Sequence, residues 1–338
     1  MEQLHHQNAS LFFNTILSLK GLMIKVGQFM SARIDLLPGA YTETLSRLQD
    51  EVTPAPFSEI RKKLICELGA PPETLFLSFN EVPLASASLG QVHEAVLKTP
   101  EDGKTINVAV KIQYPDIESI VETDLQAIAL VVRMLRRLFT HIQFDILFRE
   151  FSRMVYRELN YITEAKNAER FHKQFEKDDR FVVPRVIWGL TTERVLTLTR
   201  VTGIKINRFD EMQRAGVSLK EVAQLLVESY MKQILVCRFF HGDPHPGNLF
   251  VQPKGNDAKG KLKLVFVDFG LMQEIDEKTD RGMHRMILAI INRDISSISC
   301  ALIELGFITK GGRGQARDIE PVVQFFMDRY RDITPRAF

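Results

Sequence analysis

Two runs of alternating residues, "QVHEAVL" and "INVAVKIQ", stand either side of "KTPEDGKT" in a chain whose other long stretches have helical period. A period of two suits a pleated strand and cannot sit on one face of a helix. Asp102-Gly103 between the runs is a hairpin turn signal. The chain is therefore expected to be α+β, with a small antiparallel sheet set among helices. On the second strand Val108, Val110 and Ile112 share one face, and Ala109 and Lys111 share the other. A small residue beside a cation suits the wall of a nucleotide pocket, with room for a flat base and a charge for phosphate. The plainer reading of the same residues is an edge strand with a solvated lysine.

Around this sheet the apolar spacing predicts helices over 10–35, 42–50, 57–69, 116–139, 144–176, 218–240 and 277–305. Phe12, Ile16, Leu19, Met23, Val26 and Met30 carry the first of them. "VVPRVIWGLTTERVLTLTRVTG" returns to strands, and "LVFVDFG" reads as a short buried strand. The best boundary lies near Gly203. Three segments follow: a helical extension over 1–72, a smaller lobe with an inserted helix over 73–203, and a mostly helical lobe over 204–338.

Composition excludes several classes. The 338 residues are 45% hydrophobic and 25% charged, an ordinary balance for a folded globular chain. A net charge of +2 gives no field that calls for nucleic acid, so none is expected as a partner. Cys66, Cys237 and Cys300 are widely spaced and odd in number, which fits a reducing compartment. The sequence has no apolar run of the ~18 residues that a membrane-spanning helix needs. Its start lacks the basic and apolar regions of a signal peptide. The expected place is cytoplasm or an organelle matrix, at most at the periphery of a membrane.

Beside the lysine strand, chemistry concentrates in three places. "PLASASLGQV" would be a phosphate loop if Ala85, Ser86, Ala87, Ser88, Leu89 and Gly90, with Val92 beyond, offer backbone N–H groups to a nucleotide. Alanine does not forbid that, but it denies the loop most of the φ > 0 conformations that glycine reaches. "FFHGDPHPGNLFV" holds Asp243 and Asn248 five residues apart, the spacing of a phosphotransfer loop. There the aspartate orients an attacking hydroxyl or water, and the asparagine ligates a metal. The same run contains His241, Asp243 and His245, a rival set of transition-metal ligands. Asp268 ends the strand "LKLVFVDFGL" as part of Asp-Phe-Gly, whose carboxylate holds Mg²⁺ between phosphates. A metallohydrolase built on the histidines would leave Lys111 and Asp268 unexplained.

Lys111 needs a carboxylate to aim it. The stretch "FREFSRMVYRELNYITEAKNAERF" offers Glu158 and Glu164, which would lie about 120° apart around one continuous helix. Glu164 is the expected partner of Lys111, and Glu158 then needs another cation. Lys25 is the candidate, on a helix face shared with Gln28, Gly21 and Ala32.

Together these motifs resemble the UbiB family, the AarF-domain-containing atypical kinases, over about residues 20–300. The resemblance rests on Lys25-Val26-Gly27-Gln28, "LASASLGQVH", Glu158 with Asn160, Lys111 with Glu164, Asp243 with Asn248, and Asp268. The first two are specific to this family among kinases. Two positions depart from its pattern. Asn160 stands where the family has aspartate, and Ser86 interrupts the alanine run. The resemblance implies a two-lobed protein-kinase-like fold with ATP and Mg²⁺ bound, and ATPase or unorthodox kinase activity. It also implies regulatory roles for Lys25, Gln28 and Glu158. The implied partners are a membrane surface and a prenyl-quinone-type lipid or its biosynthetic complex, in support of ubiquinone synthesis. A small-molecule kinase of the aminoglycoside or choline type is the alternative, and Lys25 and Gly270 speak against it.

Overall fold

The computed structural model describes residues 2–19, 21–31, 37–49, 54–98, 103–138, 143–253, 261–307, 321 and 323–324. The chain divides into two compact units. One comprises residues 1–173, 183–202 and 266–271; the other comprises 174–182, 203–265 and 272–338.

The first unit is built on an antiparallel sheet. Gly90–Lys98 and Thr105–Gln113 pair along their full lengths, from Gly90↔Gln113 to Lys98↔Thr105. Val195–Thr199 lies on the other side of Thr105–Gln113, with Leu196 opposite Lys111. Two short strands, Ser78–Phe79 and Ala85–Ser86, both pair with Gly90–Lys98. Asp102, expected from sequence in the hairpin turn, lies outside the described residues. Val108, Val110 and Ile112 are fully buried against Ile60 and Leu64 of the helix Phe57–Leu68, with Phe76, Ala95 and Val195 in the same core. The opposite face carries Ala109 and Lys111.

A second core joins helices Leu22–Ser31, Ile117–Leu138 and Phe144–Glu158 through Leu22, Val121, Phe151 and Val155. A third holds the N-terminal helices together through Phe13, Ile16, Ile24, Leu45 and Leu48. Gly27 is the point of closest approach there. A Cβ at this position would stand 2.2 Å from Leu48 Cδ1 and 3.0 Å from Ile16 Cδ1.

Three expected single helices are interrupted. The first is two helices, Glu2–Leu19 and Leu22–Ser31, with Gly21 between them at φ +53°. Periodicity continues across this break because both halves feed the same core, so spacing alone does not show it. The stretch 144–176 is Phe144–Glu158 and Tyr161–Phe175, separated at Asn160, whose side-chain oxygen accepts the backbone N–H of Thr163 and starts the second helix. The stretch 277–305 is Glu277–Asn292 and Ile295–Glu304, with Arg293 at φ +55° and Asp294 capping the second through Ser297.

The second unit has a four-stranded sheet in the order Phe181–Val182, Lys263–Phe266, Leu249–Gln252, Ile204–Lys205. Phe181 and Leu264 are parallel partners, and Ile204 and Val251 antiparallel ones. Phe239–His241 pairs with Met272–Glu274. The helix expected over 218–240 runs only from Leu219 to Met231. It passes into a wider π turn at Lys232–Val236 and ends before Arg238 at φ +51°. Among the described residues no helix is long and apolar enough to cross a membrane.

The packing at Gly27 generates a prediction. Gly27→Ala should destabilise the protein by about 1–3 kcal/mol through overpacking. Leu48→Ala in the same chain should recover part of that loss, because it removes the atom that the new methyl meets. Thermal melts of the two single variants and the double variant decide it, and strictly additive losses would contradict the account.

Candidate active-site residues

In the first unit the lysine strand, one helix and the Asp-Phe-Gly segment converge. Lys111 Nζ donates to Glu164 Oε1 at 3.0 Å and to Oε2 at 2.8 Å. Asp268 Oδ2 stands 3.5 Å from the same nitrogen. Glu164 is buried, whereas the Asp268 side chain is 45% exposed. The ammonium is therefore shared between a sequestered carboxylate and a half-exposed one.

The helix Tyr161–Phe175 organises this cluster from successive turns of one face. Glu164 holds Lys111, Asn167 Nδ2 donates to the Phe269 carbonyl at 3.0 Å, and Phe171 packs on the Phe269 ring at 5.5 Å between centroids. Phe269 is fully buried. Asp268 itself sits at φ +59°, in the left-handed region that aspartate tolerates better than most residues. Gly270 N–H donates back to Asp268 Oδ1 at 3.2 Å. The backbone that follows the carboxylate is thus anchored at Phe269 and at Gly270. Asn167 and Phe171 were not singled out from sequence, although their spacing from Glu164, at steps of three and four, is the signal that could have found them.

Lys25 and Glu158 also meet. Lys25 Nζ lies 2.8 Å from both Glu158 oxygens, and both side chains are largely buried. Gln28 donates to the Leu48 carbonyl at 3.4 Å, which ties it to the N-terminal helices. Ala32, placed on the same face from sequence, lies outside the described residues. Glu158 and Glu164 do not stand on one continuous helix as the 120° argument assumed. The break at Asn160 lets both approach Gly270: a Cβ there would be 3.9 Å from Glu158 Cγ and 3.9 Å from Glu164 Oε2. Asn160 itself serves as the cap described above, a task that asparagine and aspartate perform about equally.

The alanine–serine loop is a tight hairpin. Ala85 pairs with Val92 and Ser86 with Gln91. Ala87 N–H donates to the Gly90 carbonyl at 2.8 Å and Leu84 N–H to that of Val92 at 2.7 Å. Ala85 and Ala87 are exposed and Ser86 half-buried. Ser88 and Leu89 are buried, and Leu89 belongs to the core with Leu22 and Val121. Within the stretch the Ala87 N–H is engaged by the Gly90 carbonyl, and the Leu89 side chain is committed to the core. Gly90 is not a flexible joint. A Cβ on it would stand 2.3 Å from the Ile112 carbonyl oxygen and 2.8 Å from Tyr161 Oη, so packing requires glycine there. Beyond the hairpin, Val92 lies opposite Lys111 and Glu94 opposite Ala109, with Leu196 and Leu198 on the next strand. Val92 and Ala109 are half-buried, a small apolar surface beside the lysine.

In the second unit Asn248 Nδ2 donates to Asp243 Oδ2 at 2.9 Å and to its carbonyl at 3.3 Å. With the amide nitrogen so used, the Asn248 Oδ1 atom is the one available to a cation. The loop is held from behind by fully buried His241. Its Nδ1 accepts Asp243 N–H at 3.3 Å, and its own N–H donates to Gln233 Oε1 at 2.9 Å from the π turn. His245 Nδ1 accepts Gly247 N–H at 3.1 Å. Both histidines therefore use a ring nitrogen to shape the backbone. Among the described residues no group of three or more His, Cys, Asp or Glu side chains is placed to hold a metal ion, which removes the support for the His241–Asp243–His245 set. Tyr230 Oη donates to the His241 carbonyl at 3.3 Å. Burial, with the Asp243 charge nearby, pushes its hydroxyl up to about 12.

The electrostatics of the first cluster follow from burial. Desolvation penalises the Lys111 ammonium, but the Asp268 and Glu164 carboxylates outweigh it and hold the lysine protonated well above its usual range. Desolvation also pushes the Glu164 carboxyl up to about 7; Lys111 opposes the shift and the Asp268 charge adds to it. A carboxyl raised in this way keeps a proton in the folded protein where the unfolded chain has lost it. Its contribution to stability is full below the ordinary value of 4.5 and is lost as pH rises through about 7. Glu164→Gln should therefore flatten the fall in melting temperature between about pH 5 and about pH 8. Parallel wild-type and variant profiles would show that Glu164 does not titrate in that window.

Comparison with known proteins gives the family. Residues 47–302 match the ABC1 atypical kinase-like domain. Protein ACTIVITY OF BC1 COMPLEX KINASE 7, chloroplastic, of Arabidopsis thaliana is 35% identical over 97% of this chain and 46% of its own length. The probable serine/threonine-protein kinase abkB of Dictyostelium discoideum is 37% identical over 76% of this chain and 38% of its own. The chain spans about half the length of the curated relatives it matches. Among solved structures, Rv3197 of Mycobacterium tuberculosis in complex with erythromycin superposes with a TM-score of 0.65 at 28% identity, covering 98% of this chain and 81% of that one. With its kinase-like fold and a family match over most of its length, the chain belongs to the ABC1 atypical kinase-like family.

Proposed function

We propose that this chain binds Mg·ATP and transfers or hydrolyses its γ-phosphoryl group. The observation that carries the reading is the Lys111 ammonium held between buried Glu164 and half-exposed Asp268. An ammonium aimed by a sequestered carboxylate is a fixed point charge for the α- and β-phosphates. Ala109 and Val92 give the adenine ring a small apolar surface beside it. Oxygen donors suit Mg²⁺, and on the motif resemblance the Asp268 carboxylate would be its main ligand and Asn248 Oδ1 a second. Mg²⁺, when bound, neutralises charge on the phosphate oxygens. Asp243 orients the attacking hydroxyl or water as the general base. Its backbone N–H and its side chain are both held, by His241 and Asn248.

Lys25, Gln28 and Glu158 act as regulators in this reading. The Lys25–Glu158 pair fixes the first helices beside the Asp-Phe-Gly glycine. Such a fixture favours water or a small acceptor over a large protein substrate. The acceptor class is assigned to prenyl-quinone metabolism at a membrane surface. That assignment rests on the UbiB resemblance and on the reference to the BC1 complex in the plant relatives' names.

Two measurements test the site. Asp268→Asn should abolish the Mg²⁺-dependent part of the thermal shift that ATP produces, and a full Mg·ATP shift in the variant would reassign the metal ligand. Ala87→Gly should raise the affinity for Mg·ATP relative to Mg·ADP, because only ATP has a γ-phosphate for a closer backbone to reach. The entropic cost of glycine, about 0.5–1 kcal/mol, opposes the gain. Calorimetric titration of both nucleotides reads the ratio, and an unchanged ratio would mean that the stiffness of the hairpin has no role in nucleotide choice.

A further inference from the structure

Among the described residues, Tyr161 is a large polar side chain buried beside Lys111 that the reading above leaves unused. It is 1% exposed and begins the helix that carries Glu164. Its backbone N–H donates to the Glu193 carbonyl at 2.9 Å, and its side chain packs with Ala165 and Leu196, the latter opposite Lys111 on the neighbouring strand. Lys111 Nζ lies 5.1 Å from the centre of the Tyr161 ring. The Tyr161 hydroxyl is buried and has no hydrogen-bond partner among the described residues, so hydrogen bonding does not account for a tyrosine ring here. The same oxygen fills the space that a Cβ on Gly90 would need.

We propose that Tyr161 is a positioning residue for Lys111, and that the face of its ring sets where the ammonium stands when a triphosphate binds. This rests on the nucleotide-binding reading above. Glu164 and Asp268 supply charge, but two carboxylates can draw an ammonium along a range of positions. The negative face of an aromatic ring adds an attraction with a defined direction and no proton of its own. In a desolvated site that attraction is strong enough to matter beside the ion pairs. Helix geometry makes the arrangement self-consistent: Tyr161 and Glu164 are three residues apart, so ring and carboxylate meet the ammonium from one helix face.

The test exploits fluorination, which weakens the electrostatic face of a ring while keeping its shape. Phenylalanine, 4-fluoro-, 3,5-difluoro- and 3,4,5-trifluorophenylalanine are placed at position 161 of the full chain, and Mg·ATP affinity is measured by titration. Phenylalanine should bind ATP within about twofold of tyrosine, and each added fluorine should weaken binding, to about tenfold for the trifluoro ring. Melting temperatures should stay level across the fluorinated set, which separates positioning from packing. A flat affinity series, with every variant still binding ATP, overturns the role of the ring and leaves the nucleotide reading intact. A wild-type chain that does not bind Mg·ATP overturns both.

Discussion

A buried ammonium with two carboxylates around it cannot be left to chance, because each charge removed from water must be compensated where it stands. Lys111 meets this requirement from a strand, Glu164 from a helix and Asp268 from the segment after a second strand. The pairings draw three distant stretches of chain into one unit. Glu164 is buried and Asp268 half-exposed. This asymmetry fixes the lysine on one side, and the half-exposed carboxylate on the other is the one we propose for a cation. The packing of Phe269 on Phe171 and the bond from Asn167 to the Phe269 carbonyl hold that open carboxylate by its backbone.

Much of this arrangement was legible in the residues. Period-two runs located the long hairpin, and the split of Val108, Val110 and Ile112 from Ala109 and Lys111 is the split between core and open face. The two ion pairs could be anticipated because a phosphate-binding lysine needs a carboxylate to aim it, and the second glutamate then needs another cation. Spacing then left few choices, and Lys25–Glu158 and Lys111–Glu164 both lie at 2.8 Å.

What the sequence concealed has a common physical cause. Apolar periodicity reports which face is buried, and it persists across a chain break when both halves feed one core. Gly21, Asn160 and Arg293 each interrupt a helix that reads as continuous. Leu89, read in a phosphate loop, also packs its side chain among helices, and Gly90 is required by its close approach to Ile112 and Tyr161. In both cases the deciding atoms belong to residues far away in sequence. The alanine–serine stretch is stiff for this reason: its residues are committed to a hairpin and a core before any ligand is considered.

The claim that all of this depends on is that Lys111 is an ATP-binding charge rather than a structural ion pair. Phosphate release from Mg·ATP by the wild-type chain and by Lys111→Met tests it most directly, with circular dichroism to show that both are folded. The account predicts turnover by the wild type and a loss on the order of a hundredfold in the variant, the scale expected when one charged contact to the transition state is removed. Equal rates from the two folded proteins would contradict it.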